Sequence, residues 1–323
     1  MRYFKTAILV MLCSSILLLV SRCNKDQDEQ ETREAITNRL ITDISADSLE
    51  ANVAWLEDMG TRFALADNHR EVAVKIRDRF VSMQYTETKL DSFEISREYF
   101  DYRDSKLTIF EQWQYNVVAT LKGDSHSDSV CIIGAHYDDI TSSGEPFTIA
   151  PGANDNASGV AAALEIARVM KKNNYHPANT IKFVAFGSEE LGLFGSRAYT
   201  ENAVSIHEKI KLMLNNDMIA YDPRSDKAEW KVNIIDYDNS HPLRNRAESL
   251  CSRYTILGYY NDNSSSKYSD SYPFYQNGYK ALFFFSDILD PEYHHITDVT
   301  SHCNFEYCRE IVILNCALLV DQN

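Results

Sequence analysis

The chain has 323 residues, 44% hydrophobic and 24% charged, which is ample for one large core. Its formal net charge is −15, and the first 22 residues hold Arg2, Lys5 and Arg22 with no acid, so the remainder is more acidic still. That balance excludes nucleic acid and anionic surfaces as partners and favours cationic ligands.

At the N-terminus, Arg2 and Lys5 precede a mostly apolar run from Thr6 to Ser21. The run falls short of the ~20 residues a spanning helix needs, and it fits the apolar region of a signal peptide. "LVSRC" resembles a bacterial lipobox with Cys23 as the lipidated residue, although Arg22 stands where a small residue is usual. Residues 1–22 therefore read as a lipoprotein-type signal peptide, 23–34 as a polar tether and 35–323 as a single domain. The expected location is outside the cytoplasm, membrane-anchored and facing the periplasm or cell surface. Cleavage elsewhere or an uncleaved anchor is the alternative.

Helical periodicity runs through Arg33–Leu56 and again through 69–83. Strand patterns follow at 88–95 and 114–123. "SVCIIGAHYDD" (129–139) is a continuous β-branched run, as expected of a strand buried on both faces. An amphipathic helix covers 156–174, and a second buried strand covers 180–190. A short helix is expected near 193–203, strands at 209–219 and 231–237, and helices at 241–254 and 269–278. A last strand spans 279–287, and a C-terminal helix spans 305–321. Strands alternating with helices predict an α/β fold: a mixed, mostly parallel sheet covered by helices on both faces. In such sheets ligands gather beyond the carboxyl ends of the strands.

Cysteines add little. Beyond Cys13 and Cys23 there are five, an odd number, so at least one is unpaired within the chain. No CxxC pair occurs, which argues against a thiolate zinc site. A disulfide among Cys303, Cys308 and Cys316 is left open.

The polar residues just after the apolar strands carry the chemistry. His136 and Asp138 follow "CIIGA", and Asp155 precedes the long helix. Glu189 and Glu190 follow "FVAFGS", and Asp217 follows "LMLNN". His294, His295 and Asp298 follow the last strand. Singly, each has an ordinary reading: Asp155 as a helix N-cap, Asp217 as a solvated strand end, a lone histidine as surface. Placed together at successive strand ends, they point to a shared cation. Imidazole nitrogen and carboxylate oxygen suit zinc. With His136, Asp155, Glu190, Asp217 and His294 as ligands, three carboxylates and one hydroxide balance two zinc ions, and a carboxylate can bridge metals about 3.5–4 Å apart. Asp138, two residues past His136, is expected to accept the imidazole N–H and fix its tautomer.

The blocks "HYDD", "GANDNASGV", "FGSEELGLFGS", "NNDMI", "SDSYPF" and "YHHITD" resemble, in order, those of the zinc-dependent aminopeptidase family that includes the secreted bacterial leucyl aminopeptidases. "DSLEANVAWLEDMGTRFA" resembles that family's N-terminal helix and its Thr-Arg turn. The resemblance implies a zinc-peptidase fold with two zinc ions and a peptide substrate with a free N-terminus. His136 and Asp217 would hold one zinc, Glu190 and His294 the other, and Asp155 would bridge. Glu189 would be the general base. The family's spacing to Asp298 selects His294 over His295, and a cis peptide is implied at Asp155–Asn156. The family often reads "SDH" where Ser269, Asp270 and Ser271 stand. Asp270 is thus a candidate substrate-site residue, with a helix cap as the alternative. Glutaminyl cyclases are similar but imply one zinc and an acyl transfer. A non-catalytic relative would lack ligands or base, and none is missing. Tyr259, Tyr260, Tyr268 and Tyr272 are candidates to line a substrate cleft.

Overall fold

The computed structural model describes residues 33–101, 106–124 and 128–323. The segments expected from sequence to be a signal peptide and a tether, with Cys23, lie up to residue 32 outside the described residues. Residues 33 and 34, assigned to the tether from sequence, are already helical.

The periodicity of Arg33–Leu56 resolves into two helices, α1 (33–42) and α2 (Ala46–Glu57). The break has a local cause. Ser45 has an extended backbone, and its hydroxyl accepts the Ser48 N–H at 3.2 Å. Such a cap supplies an acceptor that a continuous helix would not need. The buried Glu165 accepts the Ser45 N–H at 2.8 Å. α3 (His69–Ser82) then leads into a long hairpin, β1 (Glu87–Asp101) and β2 (Lys106–Leu121). Both strands extend past their sequence-predicted ends. There the inner face of the hairpin packs on a satellite core of Phe63, Leu65, Phe147 and Leu191.

The remaining elements alternate: β3 (Ser129–His136), α4 (Ser158–Lys172), β4 (Thr180–Phe186), α5 (Phe194–Ser205), β5 (Lys209–Asn216), β6 (Lys231–Ile235), α6 (His241–Tyr254), β7 (Gly258–Tyr260), α7 (Ser271–Gln276), β8 (Ala281–Ser286) and α8 (Phe305–Gln322). Among the described residues, eight strands form one sheet in the order β1-β2-β4-β3-β5-β8-β6-β7. The central β4, β3, β5 and β8 are parallel, and antiparallel pairings at β2–β4 and β8–β6 flank them. This is the mixed, mostly parallel sheet expected from sequence.

Side-chain alternation explains the double burial. Along β3, Cys131, Ile133 and Ala135 enter the large core beneath α1–α4, α6 and α8. Val130 and Ile132 enter the smaller core beneath α5 and α7. Successive strand residues point to opposite faces, so a strand covered on both sides must be apolar throughout. All five cysteines in the described residues are unpaired. The parallel strands therefore deliver their carboxyl ends, and the loops after them, to one edge of the sheet.

Candidate metal centre

His136 is the last residue of β3 and is fully buried. Its Nε2 lies 3.3 Å from Asp155 Oδ1 and 3.4 Å from Asp217 Oδ1. Its Nδ1 lies 3.0 Å from the backbone carbonyl of Asp138. A carbonyl only accepts, so Nδ1 carries the proton and Nε2 is left for a cation. The tautomer is thus fixed at Asp138, as expected, but by its main chain. The Asp138 carboxylate stands 3.9 Å from Nδ1 and instead accepts the amides of Glu189 (2.9 Å) and Glu190 (3.2 Å). The physical reason is that β3 ends at His136. Two residues on, the chain no longer follows the strand's two-residue alternation, and two amide donors are closer.

At the other end, His294 Nε2 lies 3.0 Å from Glu190 Oε2 and 3.2 Å from Asp155 Oδ2. Asp155 therefore offers one oxygen to each imidazole. Three groups of side chains each converge tightly enough to hold an ion: His136, Asp155 and Asp217; Asp155, Glu190 and His294; His136, Glu189 and Glu190. All six residues named from sequence as base or ligands meet in one place. Their nitrogen and carboxylate donors, without thiolate, fit zinc.

The supporting geometry is built around Asp155. The Asp155–Asn156 peptide is cis. Asp298, which the sequence places among the strand-end polar residues without a role of its own, accepts the Asn154 N–H at 2.8 Å and the Asp155 N–H at 3.0 Å. Asn156 donates to the Asn216 carbonyl at 2.9 Å, tying this turn to the end of β5. Gly152 has φ +46°, and a Cβ there would sit 2.4 Å from the Asp155 carbonyl oxygen. Ser188, Met218 and His294 also have positive φ, at 61°, 53° and 58°. Such conformations are uncommon for these residue types and cluster at functional sites. Ser269 Oγ donates to Asp217 Oδ2 at 2.6 Å and receives a hydrogen bond from Asn215 Nδ2.

Electrostatically, the cluster holds protons where a cation would serve. Burial pushes the Glu189 carboxyl well up, Glu190, Asp270 and Asp217 add to this, and His136 opposes it. Burial and the neighbouring Asp155 bring Glu190 up to about 7, against the pull of His294. Burial raises Asp155 too, but His136 and His294 outweigh it and hold this carboxyl below the usual range. Burial would lower His294, yet Asp155 and Glu190 push it up to about 10. Divalent cations would take over that compensation and displace the imidazole protons.

Asp270 is fully buried and is not among the residues lining the cleft. It precedes α7 without capping it. Its carboxylate lies beside Ser196, yet neither oxygen makes a hydrogen bond of normal geometry among the described residues, and burial brings it up to about 7.

The cleft over the centre has a volume of about 240 Å³. His136, Asp155, Glu189, Glu190 and Asp217 form its polar end, and Met218, Tyr268, Phe283, Phe285, Leu289 and Tyr293 its apolar wall. Of the four candidate tyrosines only Tyr268 lines it. Tyr260 donates to the Asp287 carbonyl, Tyr272 packs against Tyr237 and Tyr275, and Tyr259 is exposed on β7. Phe283 and Phe285 share one face of β8, a period-two signal present in "ALFFFSD" but masked by the apolar run around it. Tyr293 stacks on His294 with ring centroids 3.7 Å apart. Burial, then Asp155, Glu190, Asp217 and Glu189, push its phenol well above the ordinary value. The phenol thus lies within electrostatic reach of the carboxylates at the polar end of the cleft.

Comparison with known proteins adds the following. A family model described as Peptidase family M28 matches residues 116–319. The chain is 30% identical over 248 residues to a probable zinc metalloprotease of Pyrenophora teres f. teres, covering 74% of this chain and 52% of that one. It thus spans about half the length of that relative. It is 27% identical over 284 residues to a probable leucine aminopeptidase 1 of Trichophyton verrucosum, covering 84% and 73% of the two chains. The fold is similar to that of the Legionella pneumophila LapA aminopeptidase, with a TM-score of 0.73 at 21% identity over 89% of this chain and 74% of that one.

Proposed function

Since the chain belongs to peptidase family M28, we propose that it is a zinc-dependent aminopeptidase that hydrolyses the N-terminal residue from peptides at a two-metal site. The observation that carries this reading is Asp155, whose two oxygens reach the two imidazoles, His136 at 3.3 Å and His294 at 3.2 Å. His136 and Asp217 would hold one zinc, Glu190 and His294 the other, with Asp155 between them. Bound there, zinc lowers the pKa of a coordinated water and polarises a carbonyl oxygen.

The protein's own residues do the rest. Glu189 is the general base: it takes the proton of the attacking water and passes it to the leaving amine. Asp138 holds the Glu189 and Glu190 amides and so orients base and ligand together. Tyr293 donates its hydroxyl to the oxygen that gains charge as the carbonyl is attacked. Tyr293→Phe is expected to lower kcat by about 10²-fold, the cost of losing one such donor, with zinc content unchanged. A loss confined to KM would place the hydroxyl in ground-state binding only.

The apolar wall selects a large apolar N-terminal side chain. A panel of aminoacyl amides and dipeptides, with and without chelator, tests the reading. Leucine, phenylalanine and methionine amides are expected to exceed glycine and aspartate amides at least about tenfold in kcat/KM. Chelator should abolish all of it. Cyclisation of an N-terminal glutamine peptide without hydrolysis of any amide would replace this reading with a glutaminyl cyclase.

A further inference from the structure

Arg62, in the turn after α2, is 1% exposed. A buried guanidinium needs a counter-charge and acceptors for its N–H groups, and both are present. It stands 3.1 Å from Asp139 Oδ2, and Asp139 Oδ1 accepts the Arg62 main-chain N–H at 3.0 Å. The guanidinium itself donates to four main-chain carbonyls: Tyr137, Pro151 and Gly152, each at 2.8 Å, and Leu56 at 3.3 Å.

Three of these carbonyls lie on two ligand-bearing segments. Tyr137 directly follows His136. Pro151 and Gly152 open the turn that presents Asp155, and the Gly152 carbonyl also accepts the Ala157 N–H at 3.0 Å, closing that turn around Asp155 and Asn156. Beyond Gly152, the same turn is gripped by Asp298, which lies in the loop of His294. Its carboxylate accepts the Asn154 and Asp155 amides, and its carbonyl accepts the Ala153 N–H at 3.0 Å. The turn that carries the shared carboxylate is thus tied to the His136 segment through its carbonyls and to the His294 segment through its N–H groups.

We propose that Arg62 is a positioning residue of the metal centre, setting Asp155 against His136 by holding the carbonyls of Tyr137, Pro151 and Gly152 in one planar fork. This rests on the two-metal reading. Arg62 does not line the cleft, so it acts through the main chain and not on the substrate. Lysine at 62 would keep a charge beside Asp139, so no carboxylate is left buried alone. Its single nitrogen lacks the rigid fork that spans both segments.

The experiment compares wild type, Arg62→Lys and Glu165→Gln by three measurements. These are zinc affinity in competition with a chelator, the visible spectrum of the cobalt(II)-loaded protein, and the urea midpoint of the metal-free protein. Glu165 is the control: it is equally buried, but its carboxylate serves Ser45, Ser48 and Arg168. Arg62→Lys is expected to weaken zinc binding at least about tenfold, as loss of an outer partner does, and to change the cobalt spectrum. Glu165→Gln should lower the urea midpoint and leave affinity and spectrum as in wild type. Three results overturn the proposal: wild-type zinc affinity in Arg62→Lys, equal losses of affinity in both variants, or failure of Arg62→Lys to fold where Glu165→Gln folds. Each would make Arg62 part of the general frame. A wild-type protein that binds no zinc removes the two-metal reading instead.

Discussion

Glu189→Gln is expected to leave zinc bound at the wild-type level and to lower kcat by about 10³-fold, within the range for losing a positioned general base. The side chain lies in the same cleft as the ligands, yet it is not needed to close either of the two groups that share Asp155. Glutamine keeps the volume and the backbone hydrogen bond to Asp138 but cannot take a proton. Removing a carboxylate from a buried acidic cluster also relieves repulsion with Glu190, Asp270 and Asp217, so the fold should not suffer. Glu190→Gln should fail differently, by losing metal, because this carboxylate lies 3.0 Å from the His294 nitrogen. Metal content and turnover measured on the same samples separate the two. If Glu189→Gln retained wild-type turnover, the base would have to be assigned elsewhere.

Asp155→Asn is expected to be the most damaging single change to metal binding. Its two oxygens serve both ends of the centre, and an amide offers one neutral oxygen where a charged pair is needed. Loss of an outer partner alone costs about 10- to 100-fold in metal affinity, so loss of this ligand should cost at least about 10²-fold, with activity falling in step. The Asp298 contacts to the Asn154 and Asp155 amides belong to the main chain and survive the substitution. The turn should therefore persist while the metal is lost. Competition with a chelator of known affinity reads the effect. Wild-type zinc retention in Asp155→Asn would refute a bridging role.

The contrast between what the sequence disclosed and what it hid follows from packing. β3, β4 and β5 were legible because burial on both faces forces unbroken apolar runs, and the polar residues that end those runs are the ones that converge. Asp138 was placed correctly, but its bond was misassigned. Strand periodicity was extended past His136, where the strand stops. The division of Arg33–Leu56 rests on one serine cap whose acceptor role competes with a strong helical pattern. β7 is three residues long, too short to show a period. Phe283 and Phe285 read as core because nothing in an apolar strand marks where it leaves the interior and begins to wall a cleft. Tyr293 was hidden beside a histidine that already had a role, and Asn215, Ser269 and Asp298 act only through contacts between segments distant in sequence.

Restoring zinc stepwise to chelator-treated protein, while counting bound metal and following leucinamide hydrolysis, tests the two-metal aminopeptidase most directly. The account predicts binding that saturates at two zinc ions per chain, with hydrolysis absent from the metal-free protein and rising as zinc is bound. Saturation at one ion per chain, with cyclisation of an N-terminal glutamine peptide and no hydrolysis, would contradict it.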